Sequence, residues 1–197
     1  MDDRQQHIDQ LFRLVNRQVW IVTSASDGRR GGLVATWVSQ ASIDPERPVV
    51  AAAIAANHFT RELIDASGAL AAHLITSEQI SHAWNFALGS GRDRDKLAGT
   101  KWHTGETGSP ILTDCLAWLE GCVFDRYDGG DRIYYWADVI AGGRAKEGEP
   151  ITEHELFQAA TDGQRQALRT SLLADVAVQR PMYDRWRSQL ARRRGEG

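Results

Sequence analysis

The stretch Leu33-Val-Ala-Thr-Trp-Val-Ser-Gln-Ala-Ser42 decides how this chain of 197 residues is read. Its β-branched, aromatic and hydroxyl-bearing residues predict a strand over 33–40. Ala35, Thr36, Val38, Ser39 and Ala41 offer a flat backbone wall with a few donors, against which a planar ligand can lie. A half-buried strand with its polar residues outward has the same pattern, so the stretch alone leaves both readings open.

Upstream, Val19-Trp-Ile-Val-Thr23 is a second strand, and Asp27-Gly28 marks the hairpin between the two. That hairpin accounts for the glycines of Gly28-Arg-Arg-Gly-Gly32, which lack the following helix that a Rossmann or P-loop site needs. Ile8, Leu11, Phe12 and Val15 recur at helical spacing and predict an amphipathic helix over 5–17 that covers one open end of a sheet.

Downstream, Asp44-Pro45 and Pro48 end the strand run, and the apolar segment 49–54 suits a strand buried on both faces. A helix follows from Phe59 to Ser67, with Asn57 as its cap, Leu63 and Ile64 inward and Gly68 as a left-handed stop. Another strand spans 69–75. Thr76 and Gln79 form a capping-box pattern before a helix with Ile80, Trp84, Ala87 and Leu88 at helical spacing. Residues 92–97 predict a short polar helix, and 115–127 a long strand that turns at 128–131 and returns over 133–140.

Strands joined mainly by hairpins, with short helices inserted, give a mainly β class and predict an antiparallel barrel that leaves no edge exposed. From Glu153 the pattern becomes helical through Leu156, Leu168, Leu172 and Val176, and Pro181 predicts a break before a last helix. The chain is therefore read as a domain over 1–150 and a helical C-terminal extension over 151–197.

Composition is that of a globular protein, with 42% hydrophobic and 25% charged residues. Of the 23 basic and 26 acidic residues, eight basic and six acidic ones lie in 151–197, leaving 15 and 20 before it. Without a clearly basic face, nucleic-acid binding is not expected. No apolar run reaches the ~18 residues of a membrane span, and the polar start has no secretory pattern. Cytoplasmic residence and two buried, unpaired thiols, Cys115 and Cys122, are the expectation. The six histidines show no HExxH or paired metal spacing, and no G-x-S-x-G elbow is present, so neither a metal centre nor a serine hydrolase is expected.

Chemistry concentrates at Asn57-His58-Phe59-Thr60. A helix start presents unpaired N–H groups and a favourable dipole to an anion, and Asn57 and Thr60 can add donors. Simple capping by the same two residues is the competing reading.

Three ordered strings carry a resemblance: Ala-Thr-Trp-Val-Ser-Gln-Ala-Ser-x-Asp-Pro at 35–45, Asn-His-Phe-Thr-x-Glu-Leu-Ile at 57–64, and Gly-Arg-Asp-x-Asp-Lys-Leu-Ala-Gly at 91–99. Together they resemble the flavin reductase-like family of FMN-binding split β-barrel proteins, over roughly residues 15–142. The resemblance implies a homodimer with one flavin, FMN or FAD, per subunit, reduced by NADH or NADPH. Ala35, Thr36, Trp37, Val38 and Ser39 would line the isoalloxazine and ribityl chain. Asn57, His58, Phe59 and Thr60 would surround the phosphate, with Arg92 and Lys96 adding positive charge; a solvated charge run is the alternative for those two. Trp37 and Trp102 are the tryptophans expected near the flavin.

Hydride transfer from nicotinamide to flavin is the activity implied, with chemistry supplied by the cofactor and no catalytic side chain named. One departure stands out: many members carry Gly-Asp-His after the long strand, where this chain has Gly130-Asp131-Arg132. Arg132 is always charged and can hold a nucleotide phosphate, which makes it the candidate on the nicotinamide side and leaves the reductant open. The helical extension could wrap the other subunit, shield the flavin or dock a partner such as a flavin-dependent monooxygenase. Rival readings are a flavin or haem binder that carries electrons without turnover, and an oxidase of the pyridoxamine-phosphate type.

Overall fold

The stretch 33–42 is two strands, not one, in the computed structural model, which describes residues 2–195; Met1, Glu196 and Gly197 lie outside the described residues. Strand β1 (Trp20–Ser26) turns through Asp27 and Gly28, both at positive φ, into β2 (Arg29–Ala35). That pair of left-handed residues matches the twist of a tight hairpin. Thr36 and Trp37 leave the ladder, and β3 (Val38–Gln40) pairs instead with β4 (Val49–Ala55).

The remaining strands are β5 (Ala69–Leu74), the short pair β6 (Trp102–Thr104) and β7 (Pro110–Leu112), and the long hairpin β8 (Ala117–Asp128) and β9 (Arg132–Arg144). The main sheet has the order β2-β1-β5-β8-β9-β4-β3, antiparallel throughout. Its two edges, β2 and β3, are joined by Thr36 and Trp37 alone. A flat sheet of seven strands would hold its edges ~29 Å apart, whereas three residue steps span at most ~11 Å. The sheet must therefore curl into a barrel, and because β2 and β3 do not pair, the barrel stays split along that seam.

Side chains at period two fill the interior: Val50, Ala52 and Ile54 of β4, Leu70 and Ala72 of β5, Ile133, Tyr135 and Ala137 of β9. Strand β1 is buried on both faces, Val22 inside the barrel and Ile21 in an outer layer with Phe86, Leu112, Ile151 and Leu156. The ends of that layer come from α3 (Ile80–Ala87) and α4 (Glu153–Gln158), so residues 151–160 pack into the same body as the sheet.

Several sequence expectations change. Helix α1 (Asp3–Arg13) is held by a complete capping box of Asp2 and Gln5 but buries no residue; Leu11 and Phe12 are 63% and 66% exposed, so it does not cover the sheet. Helix α2 (Phe59–Ser67) ends on Gly68 in the left-handed region as expected, yet its N-cap is His58, not Asn57. Residues 92–97 form turns because Ser90 and Asp95 accept from the backbone N–H of Arg92 and Leu97, the local bonds that compete with a helix. Helix α5 (Asp162–Arg194) continues through Pro181 for 33 residues. Proline deprives the carbonyl of Ala177 of its donor, but Ala177 is exposed and water can replace it. Cys115 is buried, whereas Cys122 is exposed. Among the described residues no helix is long and apolar enough to cross a membrane.

Candidate functional site

Two clefts divide the residues singled out in the sequence. The first, about 310 Å³, is floored by Gly32, Leu33 and Val34 of β2 and walled by Asn57, His58, Phe59 and Thr60 at the start of α2. The loop after α3 contributes Ser90, Gly91, Arg92 and Lys96, and α5 contributes Ser171, Ala174 and Asp175. The second, about 480 Å³, is lined by Thr36, Trp37, Val38 and Ser39 at the seam, by residues 51–53 of β4 and 134–136 of β9, and by Arg17 and Gln18. Ala35 lies between them, buried in the barrel interior, so its contribution is backbone. Trp102 lines neither cleft; it sits under the Arg30 guanidinium.

Charge is arranged unevenly. Lys96 is 4% exposed, and its Nζ donates to Phe86 O at 2.7 Å. Burial, with Arg94 nearby, pushes its pKa down to about 8, so the ammonium is still charged at neutral pH. Arg92 reaches Glu62 and Asn57 O and lies over the Phe59 ring. His58 caps α2 by backbone only and makes no side-chain cap bond, so the first turn of the helix opens onto the cleft. Burial holds its imidazole below the usual 6.5 against the opposing pull of Asp175. Neutral His58 thus donates Nε2–H to Asp175 Oδ2 at 3.1 Å.

Asn57 does not cap α2 because its amide is used elsewhere. Nδ2 donates to Asp175 Oδ1 at 2.8 Å, and Oδ1 accepts from Gln179 Nε2 at 2.9 Å. Gln179 Oε1 in turn accepts from Arg132 Nη1 at 3.1 Å, and the Arg132 guanidinium lies 5.2 Å from the centre of the Trp37 ring. This relay, Asn57 to Gln179 to Arg132 to Trp37, ties one cleft to the other. Arg132 itself lines neither cleft but stands between them.

Asp175 and Gln179 were not legible as site residues. Their only local signal is a polar stripe, Ser171, Asp175 and Gln179, at four-residue spacing on a helix that also carries an apolar row, Leu168, Leu172 and Val176.

The profile of the flavin reductase like domain matches residues 12–158 of this chain. The chain belongs to the flavin reductase-like family. Within that family it is 32% identical over 136 residues to a high molecular weight rubredoxin of Moorella thermoacetica, covering 68% of this chain and 58% of that protein. It is 29% identical over 133 residues to the flavin-dependent monooxygenase reductase subunit HsaB of Rhodococcus jostii, covering 68% and 66%. A solved homolog of nitrilotriacetate monooxygenase component B from Mycobacterium thermoresistibile superimposes with a TM-score of 0.65 at 27% identity, covering 76% of this chain and 80% of that one. This flavin reductase-like chain spans little more than half of the rubredoxin. The family match ends at residue 158, so α5 lies beyond it, together with its cleft residues Ser171, Ala174 and Asp175 and the relay residue Gln179.

Proposed function

We propose that this chain is a flavin-binding oxidoreductase that takes electrons from a reduced nicotinamide, NADH or NADPH, and passes them to FMN or FAD. The observation that carries the reading is the first cleft, where a buried lysine, Arg92 and the open first turn of α2 surround a space lined on one side by β2. Such a site suits a phosphate. The second cleft, with Trp37, Tyr134 and Trp136 around the seam, suits a large planar ring. In this reading Asn57, His58, Phe59, Thr60, Arg92 and Lys96 hold the phosphate end, and Thr36 to Ser39 present backbone and hydroxyl donors to the ring edge. Flavin, when bound, supplies the chemistry by accepting a hydride from the nicotinamide, which leaves oxidised.

The protein's own part is to orient the ring, keep water from it and place Arg132. Arg132 sits over Trp37 with one guanidinium nitrogen on Gln179, and in this reading it meets a nicotinamide nucleotide's phosphate. Flavin colour in the purified protein and fast bleaching on stopped-flow mixing with NADH or NADPH are the expected results. Flavin bound without bleaching would favour the second reading, an electron carrier, for which the replacement of the family histidine by Arg132 is the specific support. A colourless protein with no affinity for added flavin would remove both.

A second copy of the chain and a flavin-dependent monooxygenase are the proposed partners. Trp37, Phe124, Tyr127 and Tyr134 are each at least 38% exposed around the seam and the long hairpin, aromatic surface that a second copy would cover. Sedimentation is expected to give twice the 21.9 kDa chain mass; a monomer at micromolar concentration would exclude the dimer. The monooxygenase rests on the likeness to HsaB, which is named as the reductase subunit of one.

A further inference from the structure

A carboxylate of this chain already sits where the proposed function places a phosphate. Asp175 lines the first cleft with Lys96 and Arg92, and its two oxygens take the Asn57 amide at 2.8 Å and His58 Nε2 at 3.1 Å. Two donors at the helix start are thereby spent on an anion from α5. Leu168 and Met182 of this helix pack against the outer and inner cores, but the stretch around Asp175 is lightly held: its one buried residue, Gln179, makes polar contacts. Leu172, Leu173 and Val176 remain 46–64% exposed, so little apolar area resists local movement there. At its far end Trp186 packs against the hairpin at Gly130, where an added Cβ would fall 2.7 Å from Trp186 Cβ.

We propose that Asp175 is a specificity-determining residue: its carboxylate fills the anion subsite of the first cleft, so a phosphate-bearing flavin must compete with α5 for Asn57 and His58, whereas an uncharged flavin need not. Two anions in one small, partly desolvated site repel each other, and the ligand that brings no charge avoids that term. Because α5 carries the carboxylate, phosphate binding also displaces the segment around Asp175, and the polar relay through Gln179 to Arg132 then opens. The proposal rests on the flavin reading for its ligand but not for its helix.

Two measurements test it. Hydrogen exchange of amides 171–180 in the wild-type chain is expected to rise when inorganic phosphate replaces chloride at equal ionic strength; unchanged exchange overturns the proposal. Affinities for FMN and riboflavin are then compared in the wild type, Asp175→Asn and Trp186→Ala. Asp175→Asn keeps an acceptor for Asn57 but removes the charge, and FMN binding is expected to tighten roughly tenfold while riboflavin changes less than about twofold. Trp186→Ala, which removes the packing of the helix on the hairpin without touching the cleft, is expected to move FMN in the same direction. Equal tightening of both flavins would make α5 a mere steric cover and overturn the charge argument, as would no change in either. If neither flavin binds any of the three proteins, the proposed function falls, and the exchange experiment still decides the role of Asp175.

Discussion

Between pH 6.5 and about 4 the folded chain is expected to lose about 3 kcal/mol of stability to one side chain, His73. His73 of β5 is fully buried, and both ring nitrogens are committed: Nδ1 faces Ile21 O of β1 at 2.9 Å, and Nε2 accepts from the backbone N–H of Leu112 in β7 at 3.0 Å. A ring that accepts at Nε2 must be neutral and carry its proton on Nδ1, so Nδ1–H donates to Ile21 O. A second proton would set two donors, Nε2–H and Leu112 N–H, face to face in a dry site. Burial first, with the nearby charge of His103, accordingly pushes the folded imidazole from 6.5 down to about 4.

In the unfolded chain His73 takes its proton near pH 6.5 and in the fold it resists until about 4, so between those values the unfolded state binds more protons and stability rises with pH. The contribution is complete above 6.5 and gone below about 4, with each pH unit of separation worth ~1.4 kcal/mol. The depressed carboxylates, Glu120 and Glu62 among them, add their own losses only below the ordinary 4.5. The window from 6.5 to 4.5 therefore belongs to histidine. Urea midpoints taken across it are expected to fall in the wild type and to fall less steeply in His73→Gln, whose amide can still reach Ile21, with the remaining slope coming from His58. A slope of unchanged steepness in the variant would move the effect to His58, which is depressed in the same direction.

The contrast between His73 and the seam explains what could be read in advance. Turns and stops governed by neighbours in sequence were legible: the left-handed pair Asp27 and Gly28, the stop at Gly68, the capping box of Thr76 and Gln79. The seam was not, because whether Thr36 continues a strand depends on which partner lies beside it, and β1 and β4 are far apart in the sheet. Gly31 and Gly32 looked like hairpin residues but lie within β2, where a Cβ at Gly32 would stand 2.6 Å from the Phe86 ring and one at Gly31 3.0 Å from the Phe59 ring. They are demanded by the close approach of α2 and α3 to the sheet, a tertiary fact without local trace. Asn57 failed as a cap for the same reason, since its partner Asp175 lies 118 residues away.

Lys96→Met is expected to weaken FMN binding by roughly 30- to 100-fold while leaving the fold at least as stable. Removing a charge-assisted contact to a phosphate forfeits ~2 to 2.7 kcal/mol, which converts to that range. The fold does not suffer because burial already penalises the ammonium: its pKa stands at about 8 where a free lysine would titrate at 10.5. Methionine has a similar length and no charge to desolvate, so only the bond to Phe86 O is lost. The same depressed pKa gives the interaction a pH signature. A phosphate monoester is fully charged well below pH 8, so any weakening of FMN binding as pH rises past about 8 reports loss of the Lys96 proton. Affinity in the wild type is expected to decline there, and Lys96→Met to show no such decline. Riboflavin, which brings no phosphate, should bind wild type and variant alike at every pH. If Lys96→Met instead weakened riboflavin as much as FMN, Lys96 would be shaping the cleft through Phe86 rather than holding an anion.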